Sequence, residues 1–200
     1  GCNDCRKGDK LEMTSFKDER EQQQIEKSVK YMPDEKLLIA DLPFTCDPEQ
    51  ELGQNYHVAK AILLGQLKQL QRSPERKMEV LKSHSKLADN EYSCLLSELP
   101  PEILAIMDSM PGEYYLPWRF VTKEGSLSTP VRVVFDASST TSTGKSLNQC
   151  LAKGQNKLEK ILDLLLNFRS GPHAFCCDIK MAYNQIKLEP TSYRYLKYLW

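Results

Sequence analysis

The chain has 200 residues, enough for one domain or two small ones with a real core. Its 27 basic and 27 acidic residues cancel to a formal net charge of zero, so bulk charge points to neither a nucleic-acid nor a membrane partner, and any basic surface must be local. No run approaches the ~20 apolar residues of a membrane span, no secretory signal opens the chain, and seven scattered cysteines imply no disulfide framework but a reducing, intracellular setting.

Residues 1–30 read as a polar tail. Cys2-Asn3-Asp4-Cys5 has the spacing of half a zinc knuckle, but His57 is the next histidine and no second ligand pair lies nearby, so an unstructured tail is the plainer reading. Lys17 to Val29 has only Ile25 and Val29 at helical spacing, which predicts a solvated helix or a partly disordered segment.

Residues 31–110 read as a helical region. Leu37 to Leu42 is a short predicted strand ending at Pro43, and Pro48 to Asn55 a loop. Asn55 is placed to cap a helix whose Ala59, Ile62, Leu63, Leu67 and Leu70 share one face. Ser73-Pro74 starts a second helix, with Met78, Leu81 and Ala88 as its expected inner face, and Pro101 to Met107 makes a third.

Residues 111–200 change character. Trp118 to Lys123 and Val131 to Phe135 alternate in the β sense around Glu124-Gly125-Ser126, which predicts a hairpin with a longish loop. Asp136 to Gly144 is a Ser/Thr-rich loop. Asn156 to Phe168 reads as a helix with Leu158, Ile161, Leu162, Leu165 and Phe168 on one face and Gly171 as its stop. Ala174, Phe175, Cys176 and Cys177 then read as a short buried strand, ending in Asp178. A carboxylate at a strand end is well placed to grip a divalent cation, and equally well placed to cap a following helix. The order of hairpin, loop, helix and strand is that of an α+β fold. The chain closes on Trp200, after the apolar Tyr195, Leu196, Tyr198 and Leu199 and without a turn signal, and is expected to be a piece of something longer.

Several segments together resemble the reverse transcriptases of long-terminal-repeat retrotransposons, most closely the BEL/Pao lineage. They are YYLPWRFVTKEGSLSTPVRVVFDASS (residues 114–139), GKSLNQCLAKG (144–154), the Leu-rich LDLLLNFR, FCCDIKMAYNQIKL and the closing YRYLKYLW, in the family's order and near its spacing. Upstream, IEKSVKY and LPFTCDP are similar to the segment preceding the family's polymerase fold. The resemblance implies the fingers and first part of the palm of a right-hand polymerase, making DNA on an RNA or DNA template–primer from deoxynucleoside triphosphates. It implies an intracellular, cytoplasmic retroelement particle as the setting, the rest of a polyprotein as partner, and no membrane.

The same resemblance assigns residues. Asp178 matches the first catalytic aspartate, with the Ile179 carbonyl as a further ligand for the two Mg²⁺ ions such enzymes use to activate the primer hydroxyl and hold the triphosphate in line. Tyr183 matches the aromatic under the sugar, whose ring would collide with a ribose 2′-hydroxyl. Backbone amides at Met181 and Ala182 would hold triphosphate oxygens. Arg132 and Lys123 match the fingers residues that meet the triphosphate, Arg as a planar fork and Lys as a point charge. Without the resemblance, a solvated charge on a half-exposed strand is the plainer reading of both. Asp136 is expected to brace the fingers loop. The family's Tyr-x-Asp-Asp hairpin is missing from these 200 residues, as is any Asp-Asp pair. The chain by itself is therefore expected not to polymerise, and a non-enzymatic remnant that binds RNA or a protein stands as the alternative.

Overall fold

The computed structural model describes residues 16–122 and 131–200. The expectations for Cys2 and Cys5, for Lys123 and for the Glu124-Gly125-Ser126 turn lie outside the described residues.

The fold is mixed α+β, built on two small sheets with helices around them. Helix α1 (Phe16–Ser28) buries nothing, as its polar sequence requires, and is tied down by polar contacts. The Glu21 carboxylate accepts the amides of Lys153 at 2.9 Å and Gly154 at 3.3 Å. Strands β1 (Val29–Met32) and β2 (Leu37–Ala40) form an antiparallel hairpin with Val29 opposite Ala40 and Met32 opposite Leu37. Strand β5 (Ile186–Leu188), from the far end of the chain, runs parallel to β2, with Leu38 opposite Ile186 and Ala40 opposite Leu188. Where β2 ends, the Asp41 carboxylate accepts the hydroxyls of Thr191 at 3.0 Å and Ser192 at 2.5 Å, the start of α8 (Pro190–Tyr193). These bonds fasten the two distant segments side by side.

The region read as a loop at residues 48–55 contains one turn of helix, α2 (Pro48–Glu51), because the Asp47 side chain caps it through the Glu49 amide at 2.9 Å. Helix α3 (Tyr56–Gln71) buries Ala59 and Leu70. Helix α4 (Pro74–Asp89) has proline at its first position, as expected, but its inner face is rotated from the expected one. Val80 is fully buried, with His84 and Leu87 partly so, whereas Met78 is 65 % exposed. Residues 80, 84 and 87 make a cleaner i, i+4, i+7 stripe, with histidine as the member an apolar count passes over. Helix α5 (Pro101–Ser109) starts at its double proline.

The expected hairpin is present: β3 (Trp118–Thr122) pairs antiparallel with β4 (Val131–Phe135), Trp118 opposite Phe135 and Thr122 opposite Val131. One apolar cluster gathers Leu70, Val80, Trp118 and Val131. A second holds Leu52, Tyr114, Leu116, Tyr195 and, from α6 (Leu147–Cys150), Leu147 and Cys150. Both draw on the first and second halves of the chain. The last twelve residues bind them together: the Tyr195 hydroxyl donates to the Pro111 carbonyl at 2.5 Å, Trp118 Nε1 donates to the Leu199 carbonyl at 2.7 Å, and the Trp200 ring stacks on His84 with centroids 3.5 Å apart.

Two further expectations are corrected. Helix α7 spans Ile161–Ser170 rather than beginning at Asn156, and every residue of it is exposed, as is Leu158 at 85 %. The Asn156 carboxamide instead accepts the Leu158 amide at 3.1 Å in a local turn, which diverts the backbone from helix. Residues 174–177 form no strand: Phe175 is 91 % exposed, and Cys176 and Cys177 are exposed. A four-residue apolar run becomes a buried strand only where another strand supplies hydrogen bonds and another layer supplies cover. No helix among the described residues is long and apolar enough to cross a membrane.

Candidate functional site

The hairpin presents its two faces by strict alternation. Trp118, Phe120, Val131, Val133 and Phe135 turn toward the core, and Arg119, Val121, Arg132 and Val134 turn outward. Register places Arg132 opposite Val121, with Arg119 two residues earlier on the same face. Such diagonal neighbours lie ~7–8 Å apart, close enough for two guanidinium forks to act on one polyanion. The outward face is thus basic, with exposed Val121 and Val134 between the two arginines. Arg119 escaped the sequence reading; its place in the W-R-F-V-T alternation was the available signal.

The loop after β4 is stiff for reasons its sequence explains. Asp136 Oδ1 accepts the Ser138 amide at 3.0 Å and the Ser138 hydroxyl at 2.5 Å, so it closes a local turn and braces the loop. The Tyr114 hydroxyl, fully buried, donates to the Ser139 carbonyl at 2.5 Å. Burial, aided by the negative Asp136, pushes this phenol up to about 12, so it remains a donor across the physiological range. Further on, the Thr141 hydroxyl donates to the Lys145 carbonyl at 2.9 Å and the Thr143 hydroxyl to the Glu51 carbonyl at 2.6 Å. Glycine at 53 lets this loop dock closely, since a Cβ there would lie 2.9 Å from the Thr143 backbone nitrogen and would force the loop to shift.

Behind the hairpin lies an apolar cavity of about 240 Å³ lined by Leu63, Leu67, Leu70, Val80, Trp118 and Trp200, with Lys77 at its side. His84 adjoins it, 2.9 Å from the Tyr198 hydroxyl, and burial holds its imidazole below the usual histidine range.

The second group of expected residues lies elsewhere. Asp178 is exposed on the irregular segment leading to β5, Ile179 is 67 % exposed and Tyr183 94 %. Met181 takes the left-handed conformation with φ 50° and heads a short 3₁₀ turn, Ala182–Gln185, whose first bond runs from the Asn184 amide to the Met181 carbonyl at 2.8 Å. The Gln185 carboxamide ties this turn to the Tyr92 hydroxyl at 3.0 Å. Arg132 therefore belongs to one sheet, and Asp178, Ile179, Met181, Ala182 and Tyr183 to the approach to the other.

The residues present do not fit a two-ion Mg²⁺ centre. No group of three or more His, Cys, Asp or Glu side chains capable of holding a metal occurs among the described residues. One exposed carboxylate and one carbonyl leave most of an octahedral shell to water, with little charge neutralised. What the described residues offer chemically is a basic face on the β3–β4 pair and a separate, exposed carboxylate–tyrosine segment. No family model, curated protein or solved structure matches the chain.

Proposed function

We propose that the chain is the fingers and first part of the palm of a BEL/Pao-type retrotransposon reverse transcriptase, whose complete form adds deoxynucleotides to a primer on an RNA or DNA template. The observation that carries this reading is the order of segments from Tyr114 to Leu188, with a fingers-type arginine on a hairpin followed by the Asp178–Tyr183 segment. The outward pair Arg119 and Arg132 supports it, because two forked cations on one face of a two-stranded sheet suit a triphosphate or a nucleic-acid backbone. The resemblance assigns Lys123, the next residue in sequence after β3, to the same triphosphate. Tyr183, 94 % exposed, is open to a sugar, and Asp178 to a cation that takes its other ligands from outside this chain.

The setting proposed is a cytoplasmic retroelement particle, with template–primer, deoxynucleoside triphosphates and the rest of the polyprotein as partners. A second reading, a remnant without chemistry, draws on the exposure of the whole Asp178 segment and the lone carboxylate.

Reading the transcript beyond the Trp200 codon separates the two. The polymerase reading expects an open frame that reaches a Tyr-x-Asp-Asp segment shortly downstream. A stop codon or frame lesion before such a segment would establish the remnant.

A further inference from the structure

Cys46 and Cys150 are 104 positions apart in sequence and meet in space. Phe44 bridges Leu151 in antiparallel fashion, and the Cys150 carbonyl accepts the Thr45 amide at 2.8 Å and the Thr45 hydroxyl at 3.1 Å. One residue on, the Cys46 thiol points at that same carbonyl from 4.0 Å, which brings its sulfur alongside Cys150. Cys46 packs against the same apolar cluster that contains Cys150. Both are free thiols, Cys150 fully buried and Cys46 partly exposed. Cys46 is therefore the more accessible residue of the pair and Cys150 the shielded one. Lys145 lies close enough for its charge to act on both thiols, and is itself held by Glu51 at 2.5 Å.

We propose that Cys46 and Cys150 form a two-electron oxidation site for hydrogen peroxide, with Cys46 as the reacting thiol, Cys150 as the resolving thiol and an internal disulfide as the product. In the first step the Cys46 sulfur attacks one peroxide oxygen. The S–O bond forms as the O–O bond breaks, and the departing hydroxide takes the thiol proton and leaves as water. In the second step the Cys150 sulfur attacks the Cys46 sulfenic sulfur. The S–S bond forms, the S–O bond breaks, and the hydroxyl leaves with the Cys150 proton as a second water. The two sulfurs together lose two electrons and the peroxide gains them. The Lys145 ammonium favours the Cys150 thiolate, while the Glu51 carboxylate opposes it. Burial pushes the Cys150 thiol up to about 12, so it rests protonated and shielded from bulk oxidant, and gives up its proton only as it attacks the sulfenic sulfur. The resulting bond would lock the segment before α2 to the end of α6, across one of the two core clusters.

The test uses a chain in which Cys2, Cys5, Cys94, Cys176 and Cys177 are serine, so that only the pair remains. Treatment with hydrogen peroxide should remove both thiols, and dithiothreitol should restore both. Digestion under non-reducing conditions should yield one cross-linked peptide pair joining Cys46 to Cys150, two hydrogens lighter than the separate peptides. The oxidised chain should unfold several degrees higher than the reduced one. Oxidation of Cys46 to sulfinic acid with Cys150 still a thiol would overturn the proposal, as would retention of both thiols or cross-links only between molecules.

Discussion

Asn55 shows how one side chain can hold distant parts of the molecule together. It is 2 % exposed and immediately precedes α3, but it does not cap that helix through its side chain. Its Nδ2 donates to the Tyr115 carbonyl at 2.7 Å and its Oδ1 accepts the Tyr115 amide at 2.9 Å, a two-pronged bond to backbone 60 residues away. Asn55→Ala leaves both of those buried groups without a partner and should cost about 2–4 kcal/mol in denaturant unfolding. A loss no larger than that of an ordinary helix cap, about 1 kcal/mol, would mean that the Tyr115 bonds matter little. The sequence marked Asn55 as a polar residue before a helix; the partner that decides its role could not be read from local spacing. His84 is similar. Burial against Trp200 and Tyr198 depresses its pKa, so the native state favours the neutral ring. Its contribution is fully present above the ordinary histidine value of about 6.5 and is lost as pH falls from there through the folded value. Between about pH 7.5 and about pH 5.5 the wild-type Tm should fall further than that of His84→Phe, which keeps a ring in the stack without titrating. Equal falls would remove His84 from the acid response.

At the scale of elements, α7 and the segment after it are the anomaly. Ile161, Leu162, Leu164, Leu165, Leu166 and Phe168 are between 43 % and 70 % exposed, in a helix of ten residues with no buried member. Propensity and an apolar stripe were enough to read a helix there, and Gly171 does stand at its end. What the stripe cannot specify is the surface that covers it. The strand expected at Ala174–Cys177 fails for the same reason, because a strand is defined by a partner. By contrast, the pairing of β3 with β4 was legible, since the alternation that turns Trp118 and Val131 inward is a local signal. Leu162→Glu together with Leu165→Glu should therefore change stability by no more than ~0.5 kcal/mol each, while lowering binding of an apolar fluorescent dye. A loss of ~3 kcal/mol or more in thermal unfolding would mean that these leucines are covered in solution.

For the molecule as a whole, the two halves that composition distinguishes are folded as partners. Strand β5 completes a sheet begun by β1 and β2, and Trp118 packs between helices from the other half. That long-range pairing left no local mark in the sequence, whereas the mixed α+β character did, through the change from helical spacing to alternation near Tyr114. The candidate site divides along the same line. Arg132 was legible as part of an alternating segment and sits on a formed strand, and Arg119 joins it through register; the segment ending in Asp178, read as a strand, is irregular and exposed. The most direct measurement is therefore primer extension by the full open reading frame, on an RNA template with deoxynucleoside triphosphates and Mg²⁺, for the wild type and for Asp178→Asn. The proposed function requires elongation by the wild type and none above background by the variant at unchanged thermal stability. Equal elongation by both would take Asp178 out of the chemistry and contradict it.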